Sequence, residues 1–309
     1  MTLRLWRLLL NPDTRNPLFR RVVEDAQADL SLAFRWQIAP RIYRLLLVAL
    51  ILAAVAINPL LPAMALFVLP IALILGFTLL PFSLPLVVNG IGLFWAANVG
   101  GALARQKLLR RYDLLSVSLD GSLNASWVIA SACAWRGGFG ILHLAQRVVL
   151  WLGIGLLALG SVSGAAALRG GDGQQTLLML RTLADMTALL AGFQLHYLQT
   201  VILSLAAGMY AAAYLANPFE ARLAAALVLL AAQAGAYIVF GLAVVGLLAP
   251  LETPFYEAHP AAYMSLPFVY LLSFCLPREV IIIALWYALS KRLNASAVER
   301  DRLISLSGS

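Results

Sequence analysis

Apolar runs close to twenty residues long, separated by short polar breaks, dominate the chain and fix what it can become. They cover roughly 43–57, 62–81, 84–104, 141–167, 177–215, 223–249 and 264–289. A helical run of about twenty residues matches the ~30 Å hydrocarbon core of a bilayer. Inside that core no water satisfies the backbone, so only helices and closed barrels span it. A barrel would alternate apolar and polar residues in segments of about ten, and these runs do not. The fold class expected is therefore all-α: a polytopic membrane bundle of helices. Composition agrees, because a chain that is 62% hydrophobic and 12% charged, with mean hydropathy +0.88, has too little polar surface for a soluble protein.

The charges that remain mark topology. The net charge is +8, Lys107 and Lys291 are the only lysines, and most arginines stand at the ends of apolar runs. Basic residues stay on the cytoplasmic side. No basic domain exists apart from the spans, which argues against nucleic acid as a partner. Cys133 and Cys275 lie in apolar surroundings outside any C-x-x-C pair, so neither a disulfide framework nor a zinc site is expected. The run in MTLRLWRLLLNPDTRNP is too short for a signal peptide.

Three regions follow: a cytoplasmic or interfacial segment over 1–41, a transmembrane domain over 42–290, and a polar cytoplasmic tail over 291–309. In the first, Asn16-Pro17 reads as a cap with proline at the first helical position. Leu18, Val22, Ala26, Leu30 and Ala33 continue as an apolar stripe. This helix either lies on the cytoplasmic face of the bilayer or packs on other cytosolic loops. The segment and the cluster Arg105–Arg111 are both basic, so both belong inside. Three full crossings between them would separate them, so runs 43–57 and 62–81 are expected to share one irregular crossing or form a re-entrant element. Arg136-Gly137-Gly138-Phe139-Gly140 is a flexible break before the run 141–167, and Asn217–Arg222 is a tight cytoplasmic turn. The loop 250–263 is acidic and external. The count comes to about six crossings, with both termini cytoplasmic. The location expected is the cell (inner or plasma) membrane, crossed several times.

The stretch 105–127 is a basic insert between spans. Arg105, Lys107, Arg110 and Arg111 fall within seven residues, and Leu108, Tyr112, Leu115 and Leu119 keep the spacing of one helical face until Asp120-Gly121 breaks it. Such a helix cannot enter lipid and offers a docking surface to another protein.

Few residues within the spans carry chemistry. Arg181 and Asp185 stand at i, i+4 and can pair. His196, beside Gln194, Tyr197 and Gln199, belongs to a polar stripe that either lines a path or hydrogen-bonds between helices. Arg278-Glu279 follows Pro277 inside the last apolar run. A charge at the bilayer centre costs about 2.5–3.5 kcal/mol on insertion scales. The pair therefore marks a kink facing the bundle interior, or the start of an amphipathic terminal helix. The three histidines are isolated, no serine-nucleophile motif occurs, and a Walker A lysine loop is missing. No catalytic residue, metal ligand or cofactor is expected, and any ATP hydrolysis must occur on another chain.

Two stretches carry a family resemblance. Asn16-Pro17-Leu18-Phe19-Arg20-Arg21 resembles the start of bacterial ABC-2-type permease subunits, where it opens an interfacial elbow helix. Tyr112-Asp113-Leu114-Leu115-Ser116-Val117-Ser118-Leu119 resembles that family's element at the cytoplasmic turn before the third span, where a short helix couples the permease to its ATPase. Val22 stands where the family often has Glu, Arg105-Gln106-Lys107 replaces its acidic residues and glycine, and Ser116-Val117-Ser118 replaces its Thr-Pro. The resemblance implies a transport permease that is not itself an enzyme. It would pair with a second permease copy or a paralogue and with a separate ATPase subunit. The ATPase would contact Arg105, Lys107, Leu108, Arg111, Tyr112, Leu115 and Leu119. The alternative is a non-transporting structural or accessory subunit of a membrane complex.

Overall fold

The computed structural model describes residues 1–12, 19–20, 86–110, 112, 117, 121–167, 173–250, 262–296 and 299. Among these the chain is all-helical, with no strand. The helices are α1 (Thr2–Leu10), α2 (Leu86–Leu108), α3 (Ser122–Arg136), α4 (Phe139–Ala167), α5 (Gly173–Tyr214), α6 (Pro218–Ala243, extended by a π-turn over Val244–Leu248) and α7 (Leu266–Arg292). Helices α2, α5, α6 with its extension, and α7 are each long and apolar enough to cross a membrane. The pair α3 and α4 adds a fifth candidate if it is one bent span. The protein is thus a multi-pass helical membrane protein. The runs 43–57 and 62–81, and most of the expected elbow helix, lie outside the described residues.

Helix α5 is the central post, packed against α1, α3, α4, α6 and α7. Small residues let α2 come close to it. Gly92, Ala96, Gly100 and Ala104 recur every four residues along one face of α2, the spacing that lets helix backbones approach in lipid. A Cβ added at Gly208 of α5 would lie 2.7 Å from the Ala96 carbonyl oxygen, and one added at Gly100 would lie 2.7 Å from the Ala221 carbonyl oxygen of α6. These helices are in backbone contact.

Local chemistry sets the element ends. The Asn217 side chain accepts from the Phe219 N–H at 3.0 Å, and Pro218 takes the first helical position, so α6 starts where the sequence placed a tight turn. Glu299 in the tail accepts from the backbone N–H groups of Leu123 and Asn124, placing a carboxylate on the N-terminus of α3. Lys107 donates to the Ala212 carbonyl at 2.6 Å, near the last turn of α5, and the Arg292 guanidinium lies 4.8 Å from the Tyr214 ring. The ends of α2, α5 and α7 and the starts of α3 and α6 therefore share one end of the bundle.

Gly137-Gly138 forms the break between α3 and α4, which meet at a 67° bend, and Gly138 has φ +83. Aromatic rings pack the bend. Phe139 meets Trp6, Trp95 and Trp135 edge-on and stacks on His143. Trp95 donates to the Gly137 carbonyl, and Trp135 to the Leu9 carbonyl of α1.

The structure departs from the sequence reading at one element. The face expected to run from Leu108 through Tyr112 to Leu119 is not one helix, because α2 ends at Leu108 and Arg110 takes φ +55. A left-handed residue there reverses the chain and ends the helical register. Helix α1 buries Leu5, Trp6 and Leu9 against the bundle, with Met1 and Thr2 beside Glu279, halfway along α7.

Candidate functional site

The interior polar groups converge on Arg278 and Glu279, and α7 presents both because it runs unbroken through Pro277. The proline supplies no N–H to the carbonyl four residues before it. The two carbonyls that follow that one receive side-chain donors: Arg278 Nη1 donates to the Phe274 carbonyl at 2.8 Å, and Gln199 Nε2 to the Cys275 carbonyl at 3.0 Å. Arg278 is fully buried, and α7 continues past it as one helix to Arg292.

Neighbouring residues on a helix point about 100° apart, so the two charges face different partners. Glu279 accepts from the Thr2 N–H at 3.0 Å and from the Thr2 hydroxyl, and it pairs with the Met1 amino group at 2.8 Å. Gln199 reaches it from α5 at 3.4 Å. Arg278 instead faces α6. Its Nε donates to Gln233 Oε1 at 3.1 Å, and its guanidinium carbon lies 4.5 Å from the Tyr237 ring centroid and 4.1 Å from that of Phe274. Gln233 Nε2 continues the chain to Thr200 Oγ1 at 3.1 Å, and Thr200 Oγ1 lies 3.5 Å from His196 Nδ1. Asn89 of α2 donates to the Tyr237 hydroxyl at 3.1 Å. One network therefore ties α2, α5, α6 and α7 together, with Glu279 fastening α1 beside it.

Of the intramembrane residues singled out in the sequence, the network unites His196, Arg278 and Glu279. The stripe around His196 bonds between helices: besides Gln199 and Thr200, Gln194 accepts from Gln146 of α4 at 2.9 Å. Arg181 and Asp185 pair at 3.1 Å, near the start of α5 and away from this cluster. Sequence reading missed Gln233, Tyr237, Asn89 and Thr2. The available signal was a lone Gln at the middle of the run 223–249 and two Asn, Asn89 and Asn98, within 84–104. A polar side chain in such a run needs a partner on another helix.

The residues expected to meet an ATPase divide. Arg105 is exposed and Leu108 is 62% exposed at the tip of α2, beside exposed Leu109 and Arg110. Lys107 is half-buried, bridging to α5. Tyr112 is buried: its hydroxyl donates to the Ser122 carbonyl at 2.8 Å and lies 2.7 Å from Ser126 Oγ, so it anchors α3 rather than facing outward. Arg111, Leu115 and Leu119 lie outside the described residues. An apolar hollow of about 450 Å³ between α2 and the α3–α4 bend is lined by Phe94, Trp95, Gly138 and Ile141 among others, and offers no charged group. No group of acidic, histidine or cysteine side chains among the described residues has a metal-binding arrangement.

No protein family, curated protein or solved structure matches this chain.

Proposed function

We propose that the chain is the permease subunit of an ATP-driven transporter of the ABC-2 type, with ATP hydrolysed on a separate chain docked at the tip of α2. The observation that carries this reading is the tip itself. Leu108 and Leu109 are exposed beside Arg105 and Arg110 at the end of a helix in backbone contact with its neighbours. Two leucines held in the open by a rigid helix form a contact surface for another protein. A push there would move α2 against α5 through Lys107 and the close approach at Gly208, and from there reach the Arg278 network. This is a rigid-body change of packed helices. The interior polar groups bond to one another between helices, which favours a path enclosed between two permease chains over a path through one. The same closed interior suits the second reading, an accessory subunit that moves nothing.

Co-purification separates the two readings. The tagged full chain, isolated from its native membrane in mild detergent, should carry ATP-hydrolysing activity into the eluate. The double variant Arg105→Glu/Leu108→Glu should lose most of that activity while melting within a few degrees of the wild type, because surface substitutions cost little. A wild-type eluate without ATPase activity, or a double variant that keeps it, overturns the permease reading.

A further inference from the structure

Arg278 is fully buried halfway along a membrane-spanning helix, yet no carboxylate pairs with it among the described residues. Glu279 is next in sequence, but its charge is matched by the Met1 amino group. The partners that Arg278 does have are neutral: a glutamine oxygen, a backbone carbonyl and two aromatic rings. A guanidinium has five N–H donors and cannot shed its proton to escape burial. Here Nη2 is buried and finds no hydrogen-bond partner among the described residues. Beside it, the Tyr237 hydroxyl accepts from Asn89, which leaves its own hydrogen available to donate. A positive charge, an unpartnered Nη2 and a phenol hydroxyl thus lie together in the low-dielectric interior, where an unmatched charge is costly.

We propose that Arg278 and Tyr237, backed by Gln233, form an intramembrane binding site for one anionic oxygen group, a carboxylate or a phosphate. The anion neutralises the guanidinium, takes the Nη2 donors, and accepts from the Tyr237 hydroxyl. Gln233 holds Nε and so fixes the plane of the guanidinium. The group is carried by an amphiphile from the bilayer or arrives as a free ion. The surroundings suit the amphiphile. Phe240 packs edge-on against Phe274 at 5.2 Å, and the outer faces of the same two helices expose Ile238, Leu242, Leu272 and Leu276 to receive an apolar tail. The site stands whether or not an ATPase docks on the chain.

The test uses the full chain in an uncharged maltoside detergent, with oleate in one arm and inorganic phosphate in the other. Thermal unfolding and isothermal titration read the binding. Oleate should raise the melting midpoint in a saturable way, and Arg278→Gln should weaken its affinity about tenfold or more, since the charged donor is lost. Tyr237→Phe removes a single hydroxyl and should weaken it several-fold, and Arg181→Gln should leave it unchanged. Saturable binding of phosphate alone, with the same dependence on Arg278 and Tyr237, supports the site with a water-borne anion. If Arg278→Gln does not fold, Tyr237→Phe decides. The proposal is overturned when neither anion binds the wild type saturably, or when the variants that fold bind as tightly as the wild type.

Discussion

Gln233 links two buried polar groups that otherwise have no common partner, accepting from Arg278 Nε and donating to Thr200 Oγ1. Replacing it with Leu keeps the volume and strands both. Leaving buried donors and acceptors unmade costs about 1–3 kcal/mol, more for a charged group. Gln233→Leu should therefore lower the melting midpoint of the purified protein by several degrees. Gln233→Glu should recover most of that loss, because a carboxylate still accepts from Arg278 and Thr200 can turn its hydroxyl to donate. Equal midpoints for the Leu variant and the wild type would show that the network holds nothing together. The same cluster shows how far single residues could be read from the chain. Arg278 and Glu279 stood out because charges are rare in such runs, but their sequence neighbourhood fits an interior kink and a surface-lying helix equally well. Pro277 permits both. What decides is the pair of neutral side chains on α6 that receive Arg278, Gln233 and Tyr237, and those stand 45 and 41 residues away in the chain. Thr2 was harder still, lying 277 residues from its acceptor.

Element by element, breaks were more legible than contacts. The glycines at 137–138 and the Asn217-Pro218 turn were visible because each carries its own local cause: backbone freedom in one, a capping side chain and a fixed φ in the other. The helix expected across Leu108–Leu119 failed for the converse reason. Its apolar spacing is correct, but the tertiary anchors Lys107 to Ala212 and Tyr112 to Ser122 bind the two halves to different helices, and the chain turns between them. The close packing of α2 was written in Gly92, Ala96 and Gly100, although which helices would fill that face was not. Substitutions at the contact follow from the geometry. Gly208→Ala and Gly100→Ala each press a methyl to 2.7 Å from a backbone carbonyl oxygen that cannot swing aside. Each should destabilise by about 1–3 kcal/mol, the usual range for overpacking. A Cβ at Gly235 meets nothing within 4 Å, so Gly235→Ala should be neutral or slightly stabilising. Thermal unfolding of the three variants side by side checks this. Equal midpoints would mean that α2, α5 and α6 are not in backbone contact.

For the molecule as a whole, the long apolar runs were enough to establish a multi-pass helical protein, because lipid leaves an open chain no alternative. Sidedness is a separate matter, carried by where the basic residues collect. Arg105, Lys107, Arg110, Arg222, Lys291 and Arg292 lie at or near the ends that α2, α5, α6 and α7 share. Basic residues near span ends are retained in the cytoplasm, so this end should be internal. Helix α5 supplies the measuring rod. Its 42 residues run about 60 Å, roughly twice the hydrocarbon core. Its first turns and its C-terminal end must then emerge on opposite sides. Leu178, 69% exposed near the start of α5, and Phe219, 74% exposed just beyond its end, are suitable reporters. The native thiols of Cys133 and Cys275 are buried and should add little background. With a membrane-impermeant maleimide on intact cells, Leu178→Cys should label nearly completely. Phe219→Cys should label only after permeabilisation. Labelling of Phe219→Cys in intact cells would invert the orientation and place the α2 tip, with its proposed ATPase contact, on the side that has no ATP. Labelling of both from one side would mean that α5, the post on which the bundle is built, does not cross the membrane.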